Sequence, residues 1–385
     1  MEKNLSILGS TGSIGRQALS VARRLQLPVS ALAAHSNISL LETQIREFRP
    51  QLVAVFDFDA AKQLKLAVSD CAVKIVSGME GLCEAATIPN ANMVLNAVVG
   101  MIGLQPTMAA IHAGKTIALA NKETLVAGGS LVMRDAQAQG VSILPVDSEH
   151  SAVFQCLQGC HRPEEVSRII LTASGGPFFG KTKAELEHVT LEQSLNHPNW
   201  SMGKKITIDS ATMMNKGLEI IEAAWLFDVA PEQIDVVVHR ESIVHSMVEF
   251  RDGSVIAQMG VPDMRLPIQY AITYPDRVRS DVPRLNLASC GKLSFYQPDE
   301  ETFVCLKACK TALKRGGLFP ATANGANEAA VQLFIDGKIP FLRIGALVWE
   351  AMEHQPAVSS VTSVDQVLEA DRAARAFVQE AAQKN

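Results

Sequence analysis

The sequence predicts an α/β protein in three parts: a doubly wound parallel sheet, a central mixed α/β part, and a helical bundle at the end. Three observations carry this prediction. Short apolar runs alternate with helix-period stretches through residues 1–146. A glycine-rich turn, Gly9-Ser-Thr-Gly-Ser-Ile-Gly15, follows the first of those runs. From Glu300 onward the pattern is helical. At 385 residues the chain exceeds one ordinary domain. With 48% hydrophobic residues, 19% charged and a net charge of −5, it reads as a soluble protein with a large core, and nothing suggests a nucleic-acid or membrane partner. No apolar stretch approaches the ~20 residues that span a bilayer. The N-terminus runs straight into a strand without a signal peptide, so the expected location is the cytoplasm. The seven cysteines are scattered and lack zinc spacing, which reads as reduced thiols, mostly in the core.

In the first part, residues 5–9, 29–34, 52–56, 73–77, 93–98, 116–120 and 141–146 read as strands. Helix-period segments such as 14–25, 40–48 and 107–113 lie between them. That rhythm is βαβ with right-handed crossovers. The glycine turn has the spacing G-x-x-G-x-x-G rather than the usual G-x-G-x-x-G. It still sits after a strand and before a helix, where glycines let backbone N–H groups approach a dinucleotide phosphate. The second strand ends in Ala34-His-Ser-Asn37. An NAD site usually carries an acid there for the ribose 2′-hydroxyl. Here no acid repels a 2′-phosphate, and His35, Ser36 and Asn37 offer donors to one, so NADP is the expected cofactor. Leu119-Ala-Asn-Lys-Glu-Thr-Leu125 passes from strand to helix and places Asn121, Lys122 and Glu123 on the ligand edge of the sheet. In Ile143-Leu-Pro-Val-Asp-Ser-Glu-His150 a strand ends in Asp147 and Glu149. At i and i+2 on extended backbone, both carboxylates face one side, as a hard divalent cation requires. Alone, such a pair reads better as two solvated acids in a turn, and the rest of the chain shifts that balance.

From residue 151 the texture changes. Residues 155–159 read as helix, and 168–173 as a strand entering Ser174-Gly-Gly-Pro-Phe-Phe-Gly180, a turn suited to an anion. Residues 190–203 contain His197-Pro-Asn-Trp-Ser-Met-Gly203, an irregular segment with exposed-looking Trp200 and Met202 that reads as a lid. Residues 205–209 read as a strand, and Ser210 as the N-cap of a helix to Phe227. That helix carries Asn215, Lys216 and Glu219 within about one turn. Lys216 suits a phosphate and Glu219 a metal, with Glu222 equally eligible. Residues 236–249 and 254–259 read as paired strands, with His239 and His245 as ordinary strand residues, and 260–265 as a loop. Residues 274–299 read as a linker. Helices follow at 300–315, 326–334, 341–354 and 364–384, the last with Ser363 and Gln366 at capping-box spacing. The expected parts are 1–146, 147–273 with a mobile loop at about 190–205, the linker 274–299, and 300–385.

A dinucleotide site, a carboxylate trio and several anion-binding groups point to a metal-assisted NADP oxidoreductase acting on a phosphorylated polyol or ketose. Six segments then carry a resemblance: Gly9–Gly15, Ala120-Asn-Lys-Glu123, Pro145-Val-Asp-Ser-Glu-His-Ser151, Thr172-Ala-Ser-Gly-Gly-Pro177, His197–Gly203 and Asp209-Ser-Ala-Thr-Met-Met-Asn-Lys-Gly-Leu-Glu219. In this order they resemble the 1-deoxy-D-xylulose 5-phosphate reductoisomerase family over essentially the whole chain. The resemblance implies a Rossmann-like NADPH domain, a central catalytic domain, a C-terminal helical bundle and a homodimer. It implies rearrangement of 1-deoxy-D-xylulose 5-phosphate to an aldehyde, which NADPH reduces to 2-C-methyl-D-erythritol 4-phosphate for isoprenoid synthesis. It also implies the metal ligands Asp147, Glu149 and Glu219, for Mg2+ or Mn2+ with Co2+ a further candidate. Lys122 and Glu149 would assist proton transfers. Substrate contacts would fall on Lys122, Ser148, Glu149, Ser174, His197, Ser210, Asn215, Lys216 and Glu219. NADPH contacts would fall on Gly9, Thr11, Gly12, Ser13, Ile14, His35, Ser36, Asn37, Asn121, Glu123 and Gly203, with Trp200 and Met202 as the lid. One departure stands out: His35-Ser36 occupy positions where the family often has Gly then a basic or small residue. The competing readings are a sugar-phosphate dehydrogenase without rearrangement and a non-catalytic dinucleotide sensor; neither accounts for the full set of motifs.

Overall fold

The computed structural model describes residues 3–200, 202–358 and 360–384, so Ser201 of the His197–Gly203 motif lies outside the described residues. By contacts the chain forms two compact units. Residues 1–124, 132–151 and 263–282 make the first, and 125–131, 152–262 and 283–385 the second.

The first unit is built on seven parallel strands: β1 (Leu5–Leu8), β2 (Val29–Ala34), β3 (Leu52–Val55), β4 (Lys74–Ser77), β5 (Met93–Asn96), β6 (Thr116–Leu119) and β7 (Ile143–Pro145). Their order is β4-β3-β2-β1-β5-β6-β7. The strands β1, β2, β3 and β5 are buried along their whole length, which is why they read as continuous apolar runs rather than alternating ones. The order reverses between β1 and β5, and in open α/β sheets that reversal opens the ligand crevice at the strand C-termini. The helix Arg265–Thr273 packs on the helix Ser13–Arg24. Arg24 donates to the Arg279 carbonyl at 2.5 Å and to the Gln269 side chain. Residues 263–273 therefore sit with the first unit, not with the central part 147–273 that the sequence pattern suggests. A nine-residue apolar helix carries no mark of which sheet it covers.

The second unit holds four strands, β8 (Val166–Ala173), β9 (Ile234–Val238), β10 (Val244–Phe250) and β11 (Val255–Met259), in the order β11-β10-β8-β9. β9 runs parallel to β8, and β10 antiparallel to β8 and β11. The helix Met214–Phe227 contributes Leu218, Ile220 and Ile221 to the core beside Ile169, Leu171 and Val236. The C-terminal helices Val304–Arg315, Phe319–Ile335, Arg343–His354 and Val364–Ala381 add Leu306, Ala326, Leu347 and Val378 to the same core. Ser363 caps the last helix, accepting from the Gln366 N–H at 3.3 Å.

Four local expectations are corrected. Asp147 and Glu149 are not on extended backbone, because β7 stops at Pro145 and a helix starts at Ser148. Residues 205–209 are helical within Lys204–Ala211. The β-branched trio Ile206-Thr207-Ile208 suggested a strand, but the buried positions Thr207, Ile208 and Ala211 follow the helical period. Ser210 thus lies in that helix's last turn rather than capping the next, which begins at Met214 after a left-handed Met213. The run 236–249 is two strands, broken by a turn in which Ser242 takes φ +52, and each strand pairs with β8 rather than with the other.

Candidate active site

In the first unit, the turn after β1 lies at the reversal point. Gly9 has φ +86, and a Cβ there would come 2.4 Å from the Ala97 carbonyl oxygen that follows β5. A Cβ on Gly15 would sit 2.2 Å from the Gly9 oxygen. Both glycines are required by close approach. Gly12 and Ser13 are exposed and Thr11 and Ile14 half-buried. Gly12 leads into the helix Ser13–Arg24 with no side-chain cap, which leaves first-turn N–H groups available to a phosphate.

At the end of β2, His35, Ser36 and Asn37 are exposed. The His35 ring rests 5.6 Å from Phe56, and the Asn37 side chain accepts from Leu40 N–H at 3.3 Å, capping the helix Ile38–Phe48. The neighbouring acid, Asp57, is itself committed as a cap, accepting from Ala60 N–H at 2.8 Å. Asn121 is spent inward: its amide donates to the carbonyls of Val98 and Gly100, both at 2.9 Å, and its oxygen accepts from Thr124 N–H at 3.0 Å. It shapes the turn after β5, with Glu123 buried beside it.

Lys122 Nζ lies 2.7 Å from Asp147 Oδ2, and both side chains are nearly buried, at 7% and 13% exposure. Asp147 also accepts from Glu149 N–H at 3.3 Å, while its carbonyl accepts from Ser151 N–H at 2.8 Å. Two acids at a helix N-terminus suit its dipole. Burial disfavours the Asp147 carboxylate, but Lys122 and His150 outweigh that and hold it well below the usual carboxylate range. Ser148 donates to Glu149. His150, fully buried and 3.5 Å from Asp147, was missed as a candidate. Its i, i+3 spacing from Asp147 becomes a signal only once that segment is known to be helical.

In the second unit, Gly175 and Gly176 take φ +76 and +63. A Cβ on Gly176 would come 2.6 Å from the Ser210 carbonyl oxygen, so the Ser174 turn sits directly on Ser210. Ser174 Oγ is 2.9 Å from His197 Nε2 and accepts from Gly176 N–H at 3.2 Å. His197 Nδ1 accepts from the Asn199 and Trp200 N–H groups at 3.2 and 3.0 Å. The imidazole proton therefore resides on Nε2 and goes to Ser174, leaving the Ser174 hydroxyl hydrogen to donate onward. Burial, then the Arg240 charge, pushes His197 down to about 4. On the helix Met214–Phe227, Asn215 and Lys216 both donate to Glu219. Lys216, Glu219 and Glu222 are 3%, 1% and 1% exposed, far from the solvated helix acids that sequence alone allows.

Trp200 is half-buried with its ring 6.3 Å from His245, rather than exposed. Met202 is half-buried, and Gly203 caps the helix Lys204–Ala211. The short helix Leu191–Leu195, capped by Thr190, shortens the irregular segment that sequence suggested.

Three family models match the chain. One described as 1-deoxy-D-xylulose 5-phosphate reductoisomerase covers residues 5–129. Its C-terminal domain model covers 143–227. A further DXP reductoisomerase C-terminal domain model covers 259–377. A reductoisomerase of that name from Acetivibrio thermocellus is 54% identical over 99% of both chains. One from Bacillus cereus is 54% identical over 98% of this chain and 99% of its own. Among solved structures, a DOX-P reductoisomerase in complex with NADPH, fosmidomycin and magnesium superposes with a TM-score of 0.94 at 40% identity, covering 99% of this chain and 98% of that one. The Zymomonas mobilis enzyme in complex with NADPH gives 0.93 at 40% identity over all of both chains.

Proposed function

The chain belongs to the 1-deoxy-D-xylulose 5-phosphate reductoisomerase family, and from that premise we propose which of its residues perform each part of the reaction. It is an NADPH- and divalent-metal-dependent enzyme that rearranges and reduces 1-deoxy-D-xylulose 5-phosphate to 2-C-methyl-D-erythritol 4-phosphate, in isoprenoid precursor biosynthesis.

In this reading NADPH binds at residues 1–146. The glycine-lined cradle at Gly9–Gly15 fits a pyrophosphate, and the acid-free end of β2 fits a 2′-phosphate. Residues 147–262 serve metal and substrate, 263–282 return to the first unit, 283–299 link, and 300–385 support the core. Asp147, Glu149 and Glu219 offer only carboxylate oxygens, the donor set of a hard divalent ion such as Mg2+ or Mn2+. When bound, the ion polarises the substrate's carbonyl and hydroxyl oxygens and NADPH supplies the hydride. Lys122 keeps Asp147 ionised in a nearly dry site and stands with Glu149 to move protons. Ser148 orients Glu149. Ser174, Ser210, Asn215 and Lys216 take the phosphate, which holds the reacting carbons in register. His197 sets the Ser174 hydroxyl to donate. Trp200 and Met202 cover the substrate and exclude water.

The observation that carries the metal assignment is that two of its carboxylates are nearly buried and each is matched to a lysine: Asp147 to Lys122 and Glu219 to Lys216. A carboxylate withdrawn from water costs several kcal/mol unless compensated, so these positions are built for cationic company. The assembly we propose is a homodimer working in the cytoplasm, in keeping with the exposed edge strand β11. Among the described residues no helix is long and apolar enough to cross a membrane. The test is NADPH consumption with 1-deoxy-D-xylulose 5-phosphate, with and without Mg2+ or Mn2+. Metal-dependent consumption yielding methylerythritol phosphate is expected. Consumption unaffected by chelation would remove the metal roles of these carboxylates.

A further inference from the structure

Arg240 stands in the turn between β9 and β10, outside every motif singled out in the sequence. Its Nη1 donates to two main-chain carbonyls of the Ser174 turn, Ser174 at 2.7 Å and Gly176 at 2.6 Å. In a trans peptide the C=O and N–H groups point in opposite directions. Drawing the Ser174 carbonyl toward Arg240 therefore turns the Gly175 N–H away from it. Two consecutive left-handed glycines, Gly175 and Gly176, have many conformations open to them when unsupported. The guanidinium selects one. Its face also lies 5.2 Å from the Phe179 ring. The adjacent acid, Glu241, is turned to His239 at 3.1 Å, so the direct contacts of Arg240 are to carbonyls and an aromatic face, with Glu241 acting on its charge through space.

The Arg240 main chain ties in a second element. Asn199 Nδ2 donates to the Arg240 carbonyl at 2.5 Å and to Ser242 Oγ at 2.8 Å. Asn199 also gives its N–H to His197, whose Nε2 faces Ser174. One residue thus grips the Ser174 turn by its side chain and the His197–Trp200 segment by its backbone.

We propose that Arg240 is a positioning residue for phosphate recognition, drawing the carbonyls of the Ser174–Gly176 turn back so that its donors face the anion, and adding a positive charge behind it. The proposal rests on the reading that this turn receives the substrate phosphate. The cation on the Ser174 carbonyl also strengthens the Gly175 N–H of the same peptide by polarising it, while the Gly176 carbonyl, which precedes Pro177, serves only as an anchor.

The experiment uses the full-length enzyme and inorganic phosphate as a competitive inhibitor against 1-deoxy-D-xylulose 5-phosphate, with NADPH affinity read from its fluorescence. Arg240→Met is expected to weaken phosphate inhibition and raise KM for the substrate about tenfold or more, with NADPH affinity unchanged. Arg240→Lys keeps the charge but lacks the planar fork, and recovers part of the loss. If Arg240→Met does not fold, Arg240→Gln is read the same way. Phosphate inhibition within about twofold of wild type in the Arg240 variant, with Ser174→Ala weakened, overturns the proposal and leaves the reading of the turn intact. If Ser174→Ala also leaves phosphate inhibition unchanged, the turn is not the phosphate site and both fall. Equal loss of NADPH and phosphate affinity would mark Arg240 as merely structural and overturn the proposal as well.

Discussion

His197 is held neutral by burial first, then by the nearby Arg240 charge, and its hydrogen bonds agree with that state. Two backbone N–H groups occupy Nδ1 and the Ser174 hydroxyl faces Nε2, so a second proton has nowhere to go without breaking a hydrogen bond. Its side chain is expected to titrate near 4 in the folded enzyme rather than at the ordinary 6.5. Because the folded value lies below the unfolded one, the unfolded chain takes the proton first. Stability linked to His197 is full above 6.5 and falls as pH drops toward 4. Imidazole NMR signals followed against pH check this, and a His197 midpoint at the ordinary value would contradict the assigned tautomer. At this scale the sequence was legible in part. Ser174, His197, Lys216 and Glu219 stand out in their motifs, but the Ser174–His197 pairing spans 23 positions and nothing local announces it. Arg240 and His150 were missed because their roles are defined by partners that only the fold supplies.

Among elements, the first βα turn is the most completely specified. Gly12 and Gly15 differ in what surrounds them. A Cβ on Gly15 meets the Gly9 oxygen at 2.2 Å, whereas one on Gly12 finds that atom at an ordinary 3.4 Å. Gly15→Ala is expected to destabilise the protein by about 1–3 kcal/mol through overpacking. Gly12→Ala is expected to leave the unfolding midpoint in place yet weaken NADPH, because the new methyl stands where backbone must approach a phosphate. Denaturant unfolding and NADPH titration separate the two, and equal effects on both quantities in both variants would contradict the distinction. The strands of the first unit were readable because buried parallel strands are apolar throughout. The helix Lys204–Ala211 was not, since its β-branched trio favours a strand and only its packing decides. The same limit moved Asp147 and Glu149 from a pleated strand to a helix entrance.

For the whole molecule, β11 is the edge of its sheet and exposes Val255 and Ile256 at 48% and 46%. An apolar edge of that kind needs a partner or a cover, and the proposed homodimer supplies one. Sedimentation is expected to show a dimer that Val255→Lys with Ile256→Lys converts to monomer; a wild-type monomer would contradict it. The return of residues 263–282 to the first unit was invisible in sequence, because the contacts that decide it are far along the chain. In the proposed mechanism Glu219 serves the metal and not the cofactor or the fold. Glu219→Gln is therefore the measurement to make, with turnover and NADPH dissociation determined on the same folded protein. Turnover lower by at least about a hundredfold with NADPH affinity unchanged is the predicted result. Parallel loss of both, or turnover close to wild type, would contradict the account.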